Sequence, residues 1–204
     1  RFRVLAAGLS DLSGKSNFKD LEFVPDELEG IKDTVPDSDS LLDQEFTTKA
    51  LLANSTRFPI IHIATHGQFS SNPNESFLLN WDSKISLREI RELMSVKDVE
   101  KASELELLVL SACESAKGDK RAGLGLAGTA IQAGARSTIA SQWVINDRSQ
   151  ADLMKKFYQE LMKGKPKAEA LREAQLSILR SSVLGDKFSN PYYWAMNVLI
   201  GSWL

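Results

Sequence analysis

Hydrophobic positions along this chain fall into two kinds of run: unbroken stretches, and spaced sets that recur every three or four residues. Unbroken stretches read as strands. Arg1–Gly8 carries Phe2, Val4, Leu5, Ala6 and Ala7 and closes at Gly8. Pro59–Thr65 (PIIHIAT) and Leu105–Leu110 (LELLVL) are apolar almost throughout, which predicts central strands buried on both faces. Ser137–Trp143 (STIASQW) and Tyr192–Ile200 add two more, and Ser40–Asp43 a short one. Spaced sets read as helices. Val24, Leu28, Ile31 and Val35 share one helix face that Pro36 stops. Phe46–Leu52 fits a short helix. Ser86 and Glu89 have the spacing of a capping box ahead of Leu87, Ile90, Leu93 and Met94. Leu124–Ala133 is a small-residue helix ended by Gly134. Leu153, Met154, Phe157, Tyr158, Leu161 and Met162 make a wide apolar stripe that Gly164 ends. Pro166 opens another helix with Ala168, Leu171, Ala174 and Ile178 inward. Asp11–Asp20, with Ser13-Gly14, and Gln68–Glu75, with Asn72-Pro73, are polar and read as loops.

Strands therefore alternate with helices over most of the chain. That order predicts an α/β fold with a mainly parallel central sheet and helices on both faces. In such sheets sites lie beyond the carboxyl ends of the strands.

Composition adds exclusions. A length of 204 residues suits one domain, or at most two small ones, and 43% hydrophobic with 25% charged residues is ordinary for a globular protein. A formal net charge of −2 with no dominant basic patch gives no reason to expect nucleic acid. No apolar run is long enough to predict a membrane span. The single cysteine excludes an internal disulfide and fits a reducing, cytoplasmic setting. The first residue is Arg1 and no signal-peptide pattern follows, so the expectation is a fragment of a longer chain or a processed one.

Two strand ends carry reactive side chains. One strand runs into Thr65-His66-Gly67, the next clear one into Ser111-Ala112-Cys113. If those strands are adjacent and parallel, imidazole and thiol emerge at one edge as a cysteine-hydrolase dyad. Gly67 would let a backbone N–H approach a developing oxyanion with no Cβ in the way, and the Cys113 N–H is a second donor. A lone cysteine is usually an inert small hydrophobe. The pairing changes that: His66 precedes Cys113 by 47 positions, close to the roughly 50-residue spacing of caspases.

His66-Gly67 and Ala112-Cys113, each ending a hydrophobic strand, resemble the clan of caspases, separases, gingipains and legumains. The nearer resemblance is to the CHAT family, caspase-like domains usually attached to tetratricopeptide repeats in bacteria, especially cyanobacteria. It rests on Ala64–Gly67 (ATHG), Leu110–Ser115 (LSACES), Gly123–Ser137 (GLGLAGTAIQAGARS), Ala140–Trp143 (ASQW), Asn190–Ala195 (NPYYWA) and the Lys167–Leu179 helix. These cover about the last two-thirds of the chain; the first third fits by element order alone. The resemblance implies a caspase-like three-layer sandwich over residues 1–204, one CHAT domain cut from a longer repeat-containing protein. It implies a cysteine endopeptidase acting on a protein substrate through a thioester acyl-enzyme, with no cofactor or metal. Its partner is a tetratricopeptide-repeat region in the same or another chain. The alternative is a non-catalytic interaction module on the same fold.

By the same resemblance Ser111, two before the nucleophile, lines the specificity pocket, and serine there leaves the cleavage preference open. Ser141, Gln142 and Trp143 match a strand that pairs with the substrate backbone, Trp143 lining a neighbouring pocket or simply belonging to the core. Asp147 is a charge that would select a basic residue, yet Asp147-x-x-Gln150 is also an N-cap pattern, and the cap is favoured. Glu114 beside the thiol would raise its pKa if it pointed inward. Tyr192, Tyr193 and Trp194 read as core packing. Gly123, Gly125 and Gly128 form a G-x-G-x-x-G, but Gly123 comes ten positions after Cys113, where dinucleotide binding needs a tight turn. His62 and His66 are four apart on a strand, roughly 13 Å, too far to share a metal. His62 is expected inside the strand, satisfied by a hydrogen bond. No G-x-S-x-G elbow supports a serine hydrolase.

Overall fold

A computed structural model of the chain describes residues 2–12, 18–69, 75–95, 105–111, 114–115, 128, 130–131, 134–143, 146–181 and 185–204. Its strands are β1 (Val4–Gly8), β2 (Asp39–Leu42), β3 (Ile60–Ala64), β4 (Gly67–Phe69), β5 (Phe77–Leu79), β6 (Lys84–Ser86), β7 (Leu107–Ser111), β8 (Glu114–Ser115), β9 (Ser137–Ser141) and β10 (Asn197–Gly201). Its helices are α1 (Val24–Thr34), α2 (Thr48–Ser55), α3 (Leu87–Ser95), α4 (Asp147–Met162), α5 (Lys167–Leu179) and the one-turn α6 (Pro191–Trp194).

The central sheet runs β10-β9-β7-β3-β1-β2. Every neighbouring pair is parallel except β9–β10, which closes one edge antiparallel. Residues of β1, β3, β7 and β9 are buried throughout, as their unbroken apolar runs require. Alternation along the strands divides the core. Val4, Ala6, Ile60, Ala64, Leu107, Val109 and Ile139 meet α1, α4 and α5 on one face. Leu5, Ala7, Ile61, Ile63, Leu108 and Leu110 meet Leu51 of α2 and Ile90 of α3 on the other. The three-layer α/β architecture is the expected one.

Local chemistry sets the element ends, and several differ from the sequence expectation. Val24, Leu28, Ile31 and Val35 are buried and α1 stops before Pro36, as predicted. The Ser86–Glu89 capping box forms: the Ser86 N–H donates to Glu89 Oε2 at 2.7 Å and the Glu89 N–H to Ser86 Oγ at 3.3 Å. The helix expected from Phe46 begins instead at Thr48. Thr47 caps it, accepting from the Ala50 N–H at 3.1 Å, while Phe46 is buried ahead of the cap. The expected last strand starts only at Asn197, because Asn190 caps and Pro191 opens α6. Tyr192 is 43% exposed, contrary to its expected core role, while Tyr193 and Trp194 pack partly against the core. Met162 is 39% exposed, beyond the buried stripe. Leu171, Ala174 and Ile178 of α5 are buried, but Ala168 only half so. The Leu124–Ala133 helix lies largely outside the described residues; within it Ala130 is buried.

A second sheet, order β6-β5-β4-β8, was not expected. It lies on the Leu51–Ile90 side, with Leu78 and Ile85 in that core. Its first strand occupies Gly67–Phe69, where a loop was read from Gln68 onward.

Gly201 ends β10 at φ +98°, a conformation that favours glycine. A Cβ there would strike the Arg136 carbonyl oxygen and come within 2.8 Å of Ile131 Cδ1. Gly201→Ala is expected to destabilise the fold by about 2 kcal/mol or more, combining backbone strain with overlap. Urea unfolding checks this, and a loss below about 0.5 kcal/mol would contradict it.

Candidate active site

The two reactive strand ends are neighbours. β3 pairs in parallel with β7, Ala64 opposite Ser111, so both chains leave the sheet at the same edge. The Thr65 N–H continues the ladder to the Ser111 carbonyl at 3.3 Å, and the Leu9 N–H joins β1's exit to the Ala64 carbonyl at 3.0 Å. Beyond this edge the chains pair again, Gln68 of β4 with Glu114 of β8. His66 and Cys113 lie between those two pairings in sequence. Cys113, with Ala112, is outside the described residues, as is the Glu114 side chain.

His66 is half-buried with two defined contacts. Its Nε2 is 2.7 Å from the Lys19 carbonyl oxygen, and its ring lies 4.9 Å from that of Phe18. A carbonyl only accepts, so Nε2 carries the proton. In a neutral ring Nδ1 then holds the lone pair, which is the state a general base needs.

Gly67 is buried in β4. The Leu79 N–H donates to the His66 carbonyl at 2.8 Å, which puts the facing Gly67–Leu78 pair at a non-hydrogen-bonded position of the ladder. The Gly67 N–H therefore points away from β5, toward the side on which β8 runs. Ser111 is 3% exposed, and its hydroxyl has no hydrogen-bond partner among the described residues.

The remaining candidates take other positions. Ser141 is buried at the end of β9 and donates to Asn197 Oδ1 at 3.1 Å, while Asn197 Nδ2 donates to Gln150 Oε1 at 2.8 Å. The Gln142 N–H donates to the Met196 carbonyl at 2.8 Å, continuing the pairing toward β10. Trp143 is half-buried and donates from Nε1 to the Tyr192 carbonyl at 3.1 Å. Asp147 does not cap α4, as the sequence had favoured. Asn146 does, accepting from the Ser149 N–H at 3.1 Å, and Asp147 is the first helical residue. Asp147 Oδ2 instead accepts from the Phe23 N–H at 2.7 Å. Burial raises its carboxyl to about 6, the Phe23 bond opposes this, and Glu27, Glu22 and Asp26 add to the rise. Gly123 and Gly125 of the G-x-G-x-x-G lie outside the described residues.

His62 is satisfied by hydrogen bonds inside β3, as expected. It is fully buried, with Nε2 2.9 Å from Glu27 Oε1 of α1 and Nδ1 3.2 Å from the Tyr158 hydroxyl of α4. Neither partner is marked by any pattern in the sequence, nor is Lys19, whose contribution is a backbone carbonyl. A cleft of about 480 Å³ is lined by Phe18, Leu9, Leu12, Leu79 and Trp81. Among the described residues no helix is long and apolar enough to cross a membrane.

Comparison with known proteins agrees with this fold. The family model described as the CHAT domain matches residues 2–202. Among solved structures, the Arg-specific cysteine proteinase gingipain R superposes with a TM-score of 0.61 at 10% identity, covering 98% of this chain and 46% of that one. The complex of the pro- and mature domains of Porphyromonas gingivalis RgpB gives 0.61 at 11% identity, covering 99% and 47%. The chain thus spans about half the length of these structures, and at such identities the likeness is one of fold: that of caspase-like cysteine proteinases. No curated protein matches the chain in sequence.

Proposed function

The chain belongs to the CHAT domain family, and from that footing we propose that it is a cysteine endopeptidase with His66 and Cys113 as its dyad. One observation carries the proposal most. His66 stands at the edge where β3 and β7 both end, its Nε2 bound to the Lys19 carbonyl, and in sequence Cys113 comes two residues after Ser111. In the proposed reaction Nδ1 takes the Cys113 proton and the sulfur attacks the scissile carbonyl carbon. The Gly67 and Cys113 N–H groups receive the oxyanion. The C–N bond then breaks, the imidazolium returns its proton to the leaving amine, and a thioester remains. Water, deprotonated by His66, hydrolyses it. The buried Ser111 hydroxyl, two residues before Cys113 in sequence, is the proposed contact for the side chain before the cut. Gln142 and Trp143 are proposed to border the substrate, with Ser141 and Asp147 holding the elements behind them. A tetratricopeptide-repeat region, in this chain or a partner, and a cytoplasmic setting complete the reading.

The test is covalent labelling. A thiol-reactive peptide probe is expected to modify the wild-type chain at Cys113, and Cys113→Ala is expected to abolish labelling and cleavage together. If the wild type neither labels nor cuts, with repeat partners present as well as absent, the peptidase reading fails and a non-catalytic interaction module replaces it.

A further inference from the structure

Residues 18–23 form a strap that reaches the His66 ring. Phe18 and Lys19 present a ring and a carbonyl to the imidazole. Just after them, Asp20 Oδ1 accepts from the Leu12 N–H at 2.9 Å, and the Leu21 N–H donates to the Ser10 carbonyl at 3.0 Å. Ser10 is itself fixed by Asp43, whose carboxylate accepts from the Ser10 N–H at 2.7 Å and from its hydroxyl at 2.8 Å. At the strap's other end Asp147 Oδ2 accepts from the Phe23 N–H at 2.7 Å. The strap's own Asp20 thus ties it to the Leu12 N–H on one side of Leu21, and Asp147, from a distant part of the chain, holds its Phe23 N–H on the other.

Charge-assisted bonds from carboxylate to N–H are stronger than neutral ones. A backbone segment with no regular structure of its own needs such fixed points to hold a carbonyl within hydrogen-bond range of a ring. The Asp147 grip is also placed at a cost. The carboxyl is partly buried, and the charges of Glu27, Glu22 and Asp26 add to the cost of burial. A carboxylate held there against its neighbours' charge points to a positional role.

We propose that Asp20 and Asp147 are positioning residues for His66: they pin the 18–23 strap so that the Lys19 carbonyl holds the imidazole as the Nε2–H tautomer, with Nδ1 free. This rests on the reading of His66 as the base of the dyad, but its test does not depend on peptidase activity. The ring nitrogens of the two histidines are followed by ¹⁵N NMR of the whole chain at pH 8, with His66→Gln assigning the signals. In the wild type His66 is expected as the Nε2–H tautomer. Asp20→Ala and Asp147→Ala are each expected to shift its tautomer ratio at least about fivefold toward Nδ1–H, the scale of losing one hydrogen bond. Asp20→Asn and Asp147→Asn keep an acceptor oxygen and are expected to restore most of the wild-type ratio. His62, buried on Glu27 and Tyr158, is the internal reference and is expected not to move. Glu92→Gln, on an exposed α3 ion pair, is expected to change nothing. Thermal melts identify any variant that has lost its fold, and for such a residue the asparagine variant alone is read. A folded alanine variant with unchanged His66 signals overturns the proposal, as does an asparagine variant that behaves like alanine. If the signals shift as expected while the wild type never labels, the strap stands and the peptidase reading falls.

Discussion

Replacing His66 by alanine is expected to lower the rate of Cys113 acylation by about 10³-fold or more while leaving the fold intact. The size follows from what the ring supplies. Positioned general acid–base catalysis is worth about 10²–10⁴-fold, and removing one member of a nucleophile–base pair disables the other as well. The fold is spared because His66 lies beyond the last paired residue of β3, Ala64, and is only half-buried. Its loss removes one bond to Lys19 and one ring contact with Phe18, a change of about 1 kcal/mol. His66→Gln separates two roles the ring combines. Its side-chain amide can still donate to the Lys19 carbonyl, so the strap keeps its anchor, but no base remains. Both variants are therefore expected to be equally inactive. Single-turnover labelling with a peptide probe is the measurement. A glutamine variant that keeps more than about a tenth of the wild-type rate would show that His66 orients the site and is not the base.

How legible this site was in the sequence differs from one atom to the next. His66 and Cys113 stood out because each follows a run too apolar for anything except a doubly buried strand. Adjacent parallel pairing of β3 and β7 then follows from a sheet whose helices cover both faces. The second sheet left no comparable trace. β4, β5 and β6 have three residues each and β8 has two, too few for alternation to register, and Gln68 read as loop polarity. Element ends went astray where a cap outweighed the hydrophobic pattern, as at Thr47, Asn146 and Asn190. The partners of His66 and His62 could not be read at all. Lys19 acts through a carbonyl that every residue owns, and Asp20 and Asp147 act on backbone N–H groups. Glu27 and Tyr158 reach His62 across 35 and 96 positions of sequence. Such pairings come from helix packing on the sheet, and a single sequence does not encode them in any spacing.

The His62 joint carries the largest expected effect on stability. Glu27 of α1 is 1% exposed, and His62 of β3 and Tyr158 of α4 are fully buried, so one polar cluster links two helices to the centre of the sheet. Burial, with the charge of Glu27 second, pushes the Tyr158 phenol well above its usual range, so it stays a neutral hydroxyl. Glu27→Ala removes the acceptor of His62 Nε2 and leaves a buried donor unpaired beside a void. Breaking a buried, hydrogen-bonded pair in this way costs about 3 kcal/mol, or roughly 6–12 °C in Tm for a chain of this size. Glu27→Gln keeps a carbonyl acceptor and is expected to cost only about 1 kcal/mol. The informative comparison is the triple replacement Glu27→Leu, His62→Leu and Tyr158→Phe, which removes every polar atom of the joint at once. Apolar groups of similar volume often match or exceed a buried polar cluster. The triple variant is therefore expected to melt above Glu27→Ala, although it changes three residues instead of one. That non-additivity identifies a coupled network. If Glu27→Ala melts within about 2 °C of the wild type, the three groups are neighbours without being a joint, and α1 is held to β3 by its apolar face alone.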